Sequence, residues 1–203
     1  AGVFTLSATY NGSSPRFLAS STVTHDLTVQ KLSTVNVNPI AGARYNQTLN
    51  YIVTVAGSPG VPTGTIMVEN LDTSTIYGPF TLDGTGRTTA VLPDLDAGSH
   101  TLVFTYSGDT TPTPGFHPSS RTITQNVLQA ATTTTLDVPT PTPSFFGETV
   151  TLVAHVASNT APAPTEGTVT FRTLHNGVTT ILGTADLNGN TFATFITTAT
   201  QLP

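Results

Sequence analysis

The chain has 203 residues, a formal net charge of −5, no cysteine and only 8% charged residues. Its length predicts two domains of about 100 residues each. The lack of cysteine excludes disulfides and thiolate metal sites, and six scattered Lys and Arg residues exclude a basic surface for nucleic acid. No apolar run approaches the roughly 18 residues that a membrane span requires.

Short segments in which apolar and polar residues alternate follow one another along the whole chain, as expected of half-buried strands. Glycine, proline, asparagine and aspartate separate them, and no segment has a helical pattern. The predicted strands lie near residues 2–10, 19–30, 33–38, 47–56, 63–70, 74–82, 86–92, 99–107, 119–128, 132–138, 148–157, 166–174, 178–186 and 190–198. About seven short strands per 100 residues predict an all-β, immunoglobulin (Ig)-like β-sandwich.

The chain also repeats itself, with a period of about 100 residues. AGVFTLSATYNGS at residues 1–13 returns as AGSHTLVFTYSGD at residues 97–109. NQTLNYIVTV at residues 46–55 corresponds to GETVTLVAHV at residues 147–156, and GTIMV corresponds to the later GTVTF. In its second copy the opening phrase comes late in a repeat, whereas in its first copy nothing of a repeat precedes it.

These matches predict one complete domain and one divided domain. Residues 32–129 hold all seven strands of a repeat, and residues 130–203 hold only the first five. Residues 1–31 have the pattern of the last two strands, which form a hairpin. Joined tail to head, the two parts have about 105 residues, close to the size of a single Ig-like domain.

Several motifs occur in the same order in both repeats and resemble a known family. TTTTLDV, FGETVTLVAHV, EGTVTF, ADLNGN and AGSHTLVFTYSGD are similar to the bacterial Ig-like repeat found in tandem in large surface and secreted proteins. The resemblance covers essentially the whole chain and implies an extracellular stalk, adhesin or fibre module without catalytic residues. The sequence departs from the family in a longer loop at residues 109–118, and an adhesin or carbohydrate-binding module that displays this loop is the alternative function.

The divided domain leads to a hypothesis about assembly. A sandwich without its last hairpin exposes apolar inner positions and an unpaired strand edge, and an isolated two-stranded hairpin is only marginally stable. We therefore expect residues 1–31 to complete the 130–203 domain of an identical subunit or an adjacent repeat, head to tail. Return of the hairpin to its own chain requires the domains to lie side by side and is disfavoured. The donated strand would face the core with Phe4, Leu6, Ala8 and Tyr10.

The sequence offers no chemistry of an enzyme. Its five histidines are scattered without ligand spacing, and neither a nucleophile motif nor a phosphate-binding loop occurs. Asp94, Asp96 and Asp109 lie near loops but lack the spacing of a calcium site. We expect no catalytic residue, no metal and no cofactor.

Two kinds of surface site remain as candidates. Asn11 and Asn46 begin the two sequons and are candidate glycosylation sites. The chain has no Trp, so the adhesin alternative would rely on the aromatic side chains of Tyr77, Phe116, Phe145 and Phe146. The last two are expected to close one end of the sandwich instead.

Overall fold

The computed structural model describes residues 1–93, 95–111, 113–159 and 162–202. These residues form strands and turns and contain no helix, which confirms the all-β prediction. None of them belongs to a helix long and apolar enough to span a membrane. Each predicted strand coincides with an observed one, with ends that differ by a few residues. The strands are β1 (Gly2–Ala8), β2 (Val23–Val29), β3 (Ser33–Asn36), β4 (Leu49–Gly57), β5 (Thr65–Asn70), β6 (Thr75–Thr81), β7 (Arg87–Leu92), β8 (Gly98–Tyr106), β9 (Ser119–Val127), β10 (Thr132–Leu136), β11 (Thr151–Ser158), β12 (Thr168–His175), β13 (Val178–Asp186) and β14 (Phe192–Ile196).

Strands β3 to β9 form an Ig-like sandwich, which we call the middle domain. One sheet has the order β3-β4-β7 and the other has the order β6-β5-β8-β9, with antiparallel pairing throughout. The alternation in each strand sends every second side chain into one shared core. In β4, for example, Leu49, Tyr51, Val53 and Val55 are buried while the residues between them face outward.

Strands β10 to β14 form a smaller unit, which we call the C-terminal unit. Its sheets have the orders β10-β11-β14 and β12-β13. The small core consists of Val150, Leu152, Ala154, Phe171 and Leu182. Phe195 packs against this core and stacks on Phe171, with ring centroids 5.6 Å apart.

Strands β1 and β2 form a separate two-stranded antiparallel sheet, which we call the N-terminal hairpin. The chain is divided into two compact units, the first with the hairpin and the middle domain and the second with β10 to β14. All residues of β1 and β2 except the half-buried Gly2 are exposed. The hairpin therefore has paired strands but no core.

Candidate assembly site

One face of the N-terminal hairpin is apolar and uncovered. Phe4, Leu6 and Ala8 lie on this face of β1, and Tyr10 follows in the same alternation just beyond the strand. Phe4, Leu6 and Tyr10 are 51%, 55% and 50% exposed. The residues expected to face a core therefore face solvent within a single chain.

The second strand of the hairpin contributes apolar residues to the same face, although they were not among the predicted site residues. Leu27 lies directly opposite Phe4, and Val23 lies opposite Ala8. Val29, opposite the half-buried Gly2, extends the apolar surface. The signal was present in the alternation of residues 23–29, since every second residue is apolar except His25.

The opposite face of the hairpin is polar. Thr5 donates a hydrogen bond from Oγ1 to Asp26 Oδ1 at 2.7 Å, and the hydroxyls of Thr9 and Thr22 are 2.5 Å apart. Polar cross-strand pairs of this kind suit a solvated surface. The hairpin is therefore amphipathic, like a strand pair of a β-sandwich that has one face toward the core and the other toward solvent.

The hairpin has the same register as β8 and β9 of the middle domain. Gly98 pairs with Val127 at the start of β8, and Gly2 pairs with Val29 at the start of β1. The turns agree as well, because Gly108 and Gly12 adopt φ values of 75° and 78°. A Cβ would lie 2.9 Å from a backbone carbonyl oxygen at either position, so both turns require glycine.

This register identifies the buried counterparts of the four predicted assembly residues. In β8 they are His100, Leu102, Phe104 and Tyr106, which are all buried in the middle domain. Tyr106 also donates a hydrogen bond to the carbonyl oxygen of Thr63 at 2.6 Å. The face of β1 that is exposed is thus the face that the corresponding strand of the middle domain buries.

The C-terminal unit contains the edge that would receive such a strand. In the middle domain β5 pairs with β6 on one side and with β8 on the other. Within the described part of the chain, β12 pairs with β13 alone. The edge of β12 that corresponds to the β8 side of β5 therefore pairs with no other strand among the described residues.

β10, the first strand of the C-terminal unit, is also more exposed than β3, the first strand of the middle domain. β3 packs against β9 as well as pairing with β4, and Val35 and Val37 are buried there. All residues of β10 are exposed, and Leu136 is 60% exposed. The uncovered side of β10 corresponds to the side of β3 on which β9 lies.

The candidate glycosylation sites have different environments. Asn11 is exposed in the turn of the hairpin. Asn46 is half-buried and adopts a φ of 60° just before β4. Glycosylation of either residue remains a prediction.

The loop at residues 109–118 turns its aromatic residue inward. Phe116 is 1% exposed and packs against Gly57, where even a Cβ would overlap its ring. Asp109 stabilises this loop conformation because its carboxylate accepts hydrogen bonds from the Thr63 amide at 2.8 Å and the Phe116 amide at 2.6 Å. The prediction that the Phe116 ring is available to a sugar is therefore wrong, because the loop folds back onto the sandwich.

The other aromatic candidates, Phe145, Phe146 and Tyr77, are more exposed than Phe116. Phe145 and Phe146 are 77% and 83% exposed, so they do not close an end of the sandwich within a single chain. They lie in a turn in which the Glu148 amide bonds to the Phe145 carbonyl oxygen at 3.0 Å, and this turn faces solvent. Tyr77 is half-buried at the margin of the middle core.

The titratable side chains form structural contacts. Among the described residues, no group of three or more His, Asp or Glu side chains is arranged to hold a metal ion, and Asp94 lies outside those residues. Buried His100 bonds to Asn70 and to the Asp96 carbonyl oxygen. Burial alone would raise the pKa of Asp109, but hydrogen bonds from Thr63 and Phe116 outweigh burial and lower it.

One family model matches the middle domain. Residues 35–128, which span the middle domain, match the bacterial Ig-like domain (group 3) family, so the resemblance read from the sequence is confirmed there. No curated protein matches the chain. Among solved structures, Escherichia coli alpha-2-macroglobulin activated by porcine elastase is similar at 13% identity and a TM-score of 0.39. That match covers 97% of this chain and 21% of the other, so this chain spans about a fifth of its length.

Proposed function

We propose that this protein is a structural module of an extracellular, cell-surface filament or stalk built from Ig-like domains joined head to tail. The N-terminal hairpin of one copy completes the C-terminal unit of the next copy. The observation that carries this proposal is the shared register of the hairpin and β8–β9, together with the exposure of the face that β8 buries. The chain has no enzymatic role in this proposal.

The joint would combine two contributions. Main-chain hydrogen bonds would extend the β12–β13 sheet across its free edge, as in recognition by strand addition. Burial of Phe4, Leu6, Ala8 and Tyr10 would contribute about 1–3 kcal/mol for each large apolar side chain. Because the donating and accepting surfaces differ, each copy donates to one neighbour and accepts from another, and the contact propagates into a filament.

Completion of the sandwich operates both for copies joined by a peptide bond and for separate subunits. The mass of the denatured chain from its natural source distinguishes the two. A mass near 21.0 kDa indicates separate subunits, and a mass many times larger indicates a tandem array.

The purified 203-residue chain tests the proposal directly. It is expected to form long assemblies in sedimentation velocity and electron microscopy. Replacing Leu6→Asp together with Tyr10→Asp places two charges on the apolar face and is expected to leave only monomers, because buried unpaired charges are very costly. The matched control is Val3→Asp with Ser7→Asp, which adds the same charge to the opposite face of β1 and should still assemble. Assembly of the Leu6 and Tyr10 variant, or of a chain lacking residues 1–30, would contradict the proposal.

A further inference from the structure

The residues that would meet in the proposed joint differ from those of the middle domain in a coordinated way. We propose that the hairpin is specific for the C-terminal unit of a second copy of this chain, in one register, and is excluded from the middle domain. This inference rests on the proposed function and names the residues that set its specificity. Three matched positions carry it.

The correspondence between β5 and β12 has structural support. Gly64 and Gly167 precede these strands with φ values of 107° and 106°. Each accepts an equivalent bond, from the Leu82 amide at 2.9 Å and from the Leu187 amide at 3.0 Å. Together with the register of the hairpin and of β5 with β8, this correspondence places residues 6–10 of the hairpin opposite residues 173–169 of β12.

The first matched position exchanges a large and a small side chain. In the middle domain Val68 of β5 lies directly opposite Phe104 of β8, and both are buried. The corresponding residues are Phe171 in β12 and Ala8 in β1. The large side chain has moved from one strand to the other, so the pair still fills the space between the sheets.

The second matched position exchanges a polar pair for an apolar pair. Tyr51 donates a hydrogen bond to Gln125 Oε1 at 2.8 Å, and the Gln125 amide also bonds to both main-chain groups of Ile40. The corresponding residues are Leu152 in β11 and Leu27 in β2. Both members of the pair have changed together, so neither leaves a buried polar group without a partner.

At the third matched position a hydrogen-bonded pair is also lost, although one of the new residues is polar. Asn70 Nδ2 and His100 Nδ1 are 3.2 Å apart in the buried part of the middle domain. The corresponding residues are Thr173 in β12 and Phe4 in β1. The hairpin presents an aromatic ring where the middle domain uses a hydrogen-bonding side chain.

These differences exclude the hairpin from the middle domain. If it replaced β8 and β9, Leu27 would leave Tyr51 and Ile40 without their buried partner, and Phe4 would do the same to Asn70. Ala8 would leave a cavity in place of Phe104. Specificity therefore comes from unfavourable contacts with the wrong acceptor as well as from favourable contacts with the right one.

An exchange of side chains tests the register. Ala8→Phe alone should oppose Phe171, overfill the joint and reduce assembly at least about tenfold in the equilibrium constant. Ala8→Phe combined with Phe171→Val recreates the Val68–Phe104 pair of the middle domain and should restore assembly. Ala8 is exposed in the single chain, so its replacement leaves folding intact. Equal assembly of the single and double variants would overturn the register.

A cross-link tests the same register without altering the core. The proposed pairing places Thr9 of one copy opposite Thr170 of the next, and both side chains are exposed in the single chain. Since the chain has no cysteine, Thr9→Cys with Thr170→Cys should give a ladder of disulfide-linked multimers under mild oxidation. Thr9→Cys with Thr168→Cys, two residues out of register, is the matched control and should cross-link poorly. A cross-linked monomer would instead indicate return of the hairpin to its own chain and would overturn the proposal.

The outcomes separate failure of the register from failure of the proposed function. If Leu6→Asp with Tyr10→Asp abolishes assembly but the exchange and the cross-link show no preference, the hairpin mediates assembly in another register. If the Leu6 and Tyr10 variant assembles normally, the proposed function itself is wrong.

Discussion

The middle domain and the C-terminal unit begin with the same five strands in the same pairing, yet only the middle domain has a complete second sheet. With β8 and β9 in place, β5 is paired on both sides and Val37 is buried. In the C-terminal unit, β12 has one partner within the described residues and Leu136 is largely exposed. The last hairpin of this sandwich therefore supplies both the second pairing partner of β5 and the cover of β3.

The largest expected difference between the two regions is their local stability. In the monomeric Leu6→Asp and Tyr10→Asp variant, we expect amides of β12 to exchange with solvent about 100-fold or more faster than those of β5, because the smaller core resists opening less. In assemblies of the unmodified chain, exchange from β12 should slow strongly. Hydrogen exchange followed by mass spectrometry measures both states. Equal protection of β5 and β12 in the monomer would show that the C-terminal unit is complete by itself.

A smaller effect is expected from replacing only one member of the Tyr51–Gln125 pair with the leucine found at the corresponding position of the hairpin. Gln125→Leu should lower the free energy of unfolding of the middle domain by about 1–3 kcal/mol, because the Tyr51 hydroxyl and the Ile40 main chain lose their buried partner. Adding Tyr51→Phe should recover part of this loss. Urea unfolding measures each variant. Leu27→Gln, on the exposed hairpin, is the control and should leave the middle domain unchanged. A neutral Gln125→Leu would remove the basis for excluding the hairpin from this domain.

The smallest effect concerns the loop that Asp109 holds. The pKa of Asp109 is lowered, so its contribution to stability is present above its unfolded value of about 3.9 and is lost as pH falls through the lower folded pKa. We expect Asp109→Asn to cost about 1 kcal/mol at pH 7 and to make the acid destabilisation of the middle domain shallower.

Thermal unfolding between pH 7 and pH 2 measures the effect of Asp109→Asn. Some acid dependence should persist in this variant, because hydrogen bonds from Thr85 and Arg87 also lower the pKa of Asp83. An unchanged acid profile would mean that Asp109 does not stabilise the folded loop. The hairpin has Ser13 where the middle domain has Asp109, so this pH dependence should be absent from the joint.

Much of the fold was predictable because it depends on local pattern. The period of two places each strand, and turn residues separate the strands, so their order and approximate ends follow from neighbouring residues. The apolar face of β1 was predictable for the same reason. The contribution of Val23 and Leu27 was not predicted, although the alternation of residues 23–29 indicates it.

Other features depend on residues far apart in the chain. Alternation predicted the strand of β6 but not its pairing with β5 rather than β7. Nothing in the sequence around Phe116 and Phe145 distinguishes the solvent exposure of their aromatic rings. One is buried and the other is exposed, because the loop of Phe116 folds back on the sandwich whereas the turn of Phe145 faces solvent. Such outcomes require knowledge of what packs against each loop.

Pattern and repetition alone were enough to predict an all-β chain, its strands, and a hairpin that resembles the end of a repeat, since all of these depend on residues close together or on direct similarity. The three-dimensional arrangement was needed to show which side chains meet. Val68 and Phe104, or Tyr51 and Gln125, come from distant strands, and only the sheet register brings them together. Because that register is shared by the hairpin, it also assigns Ala8 to Phe171 and Leu27 to Leu152 in the proposed joint.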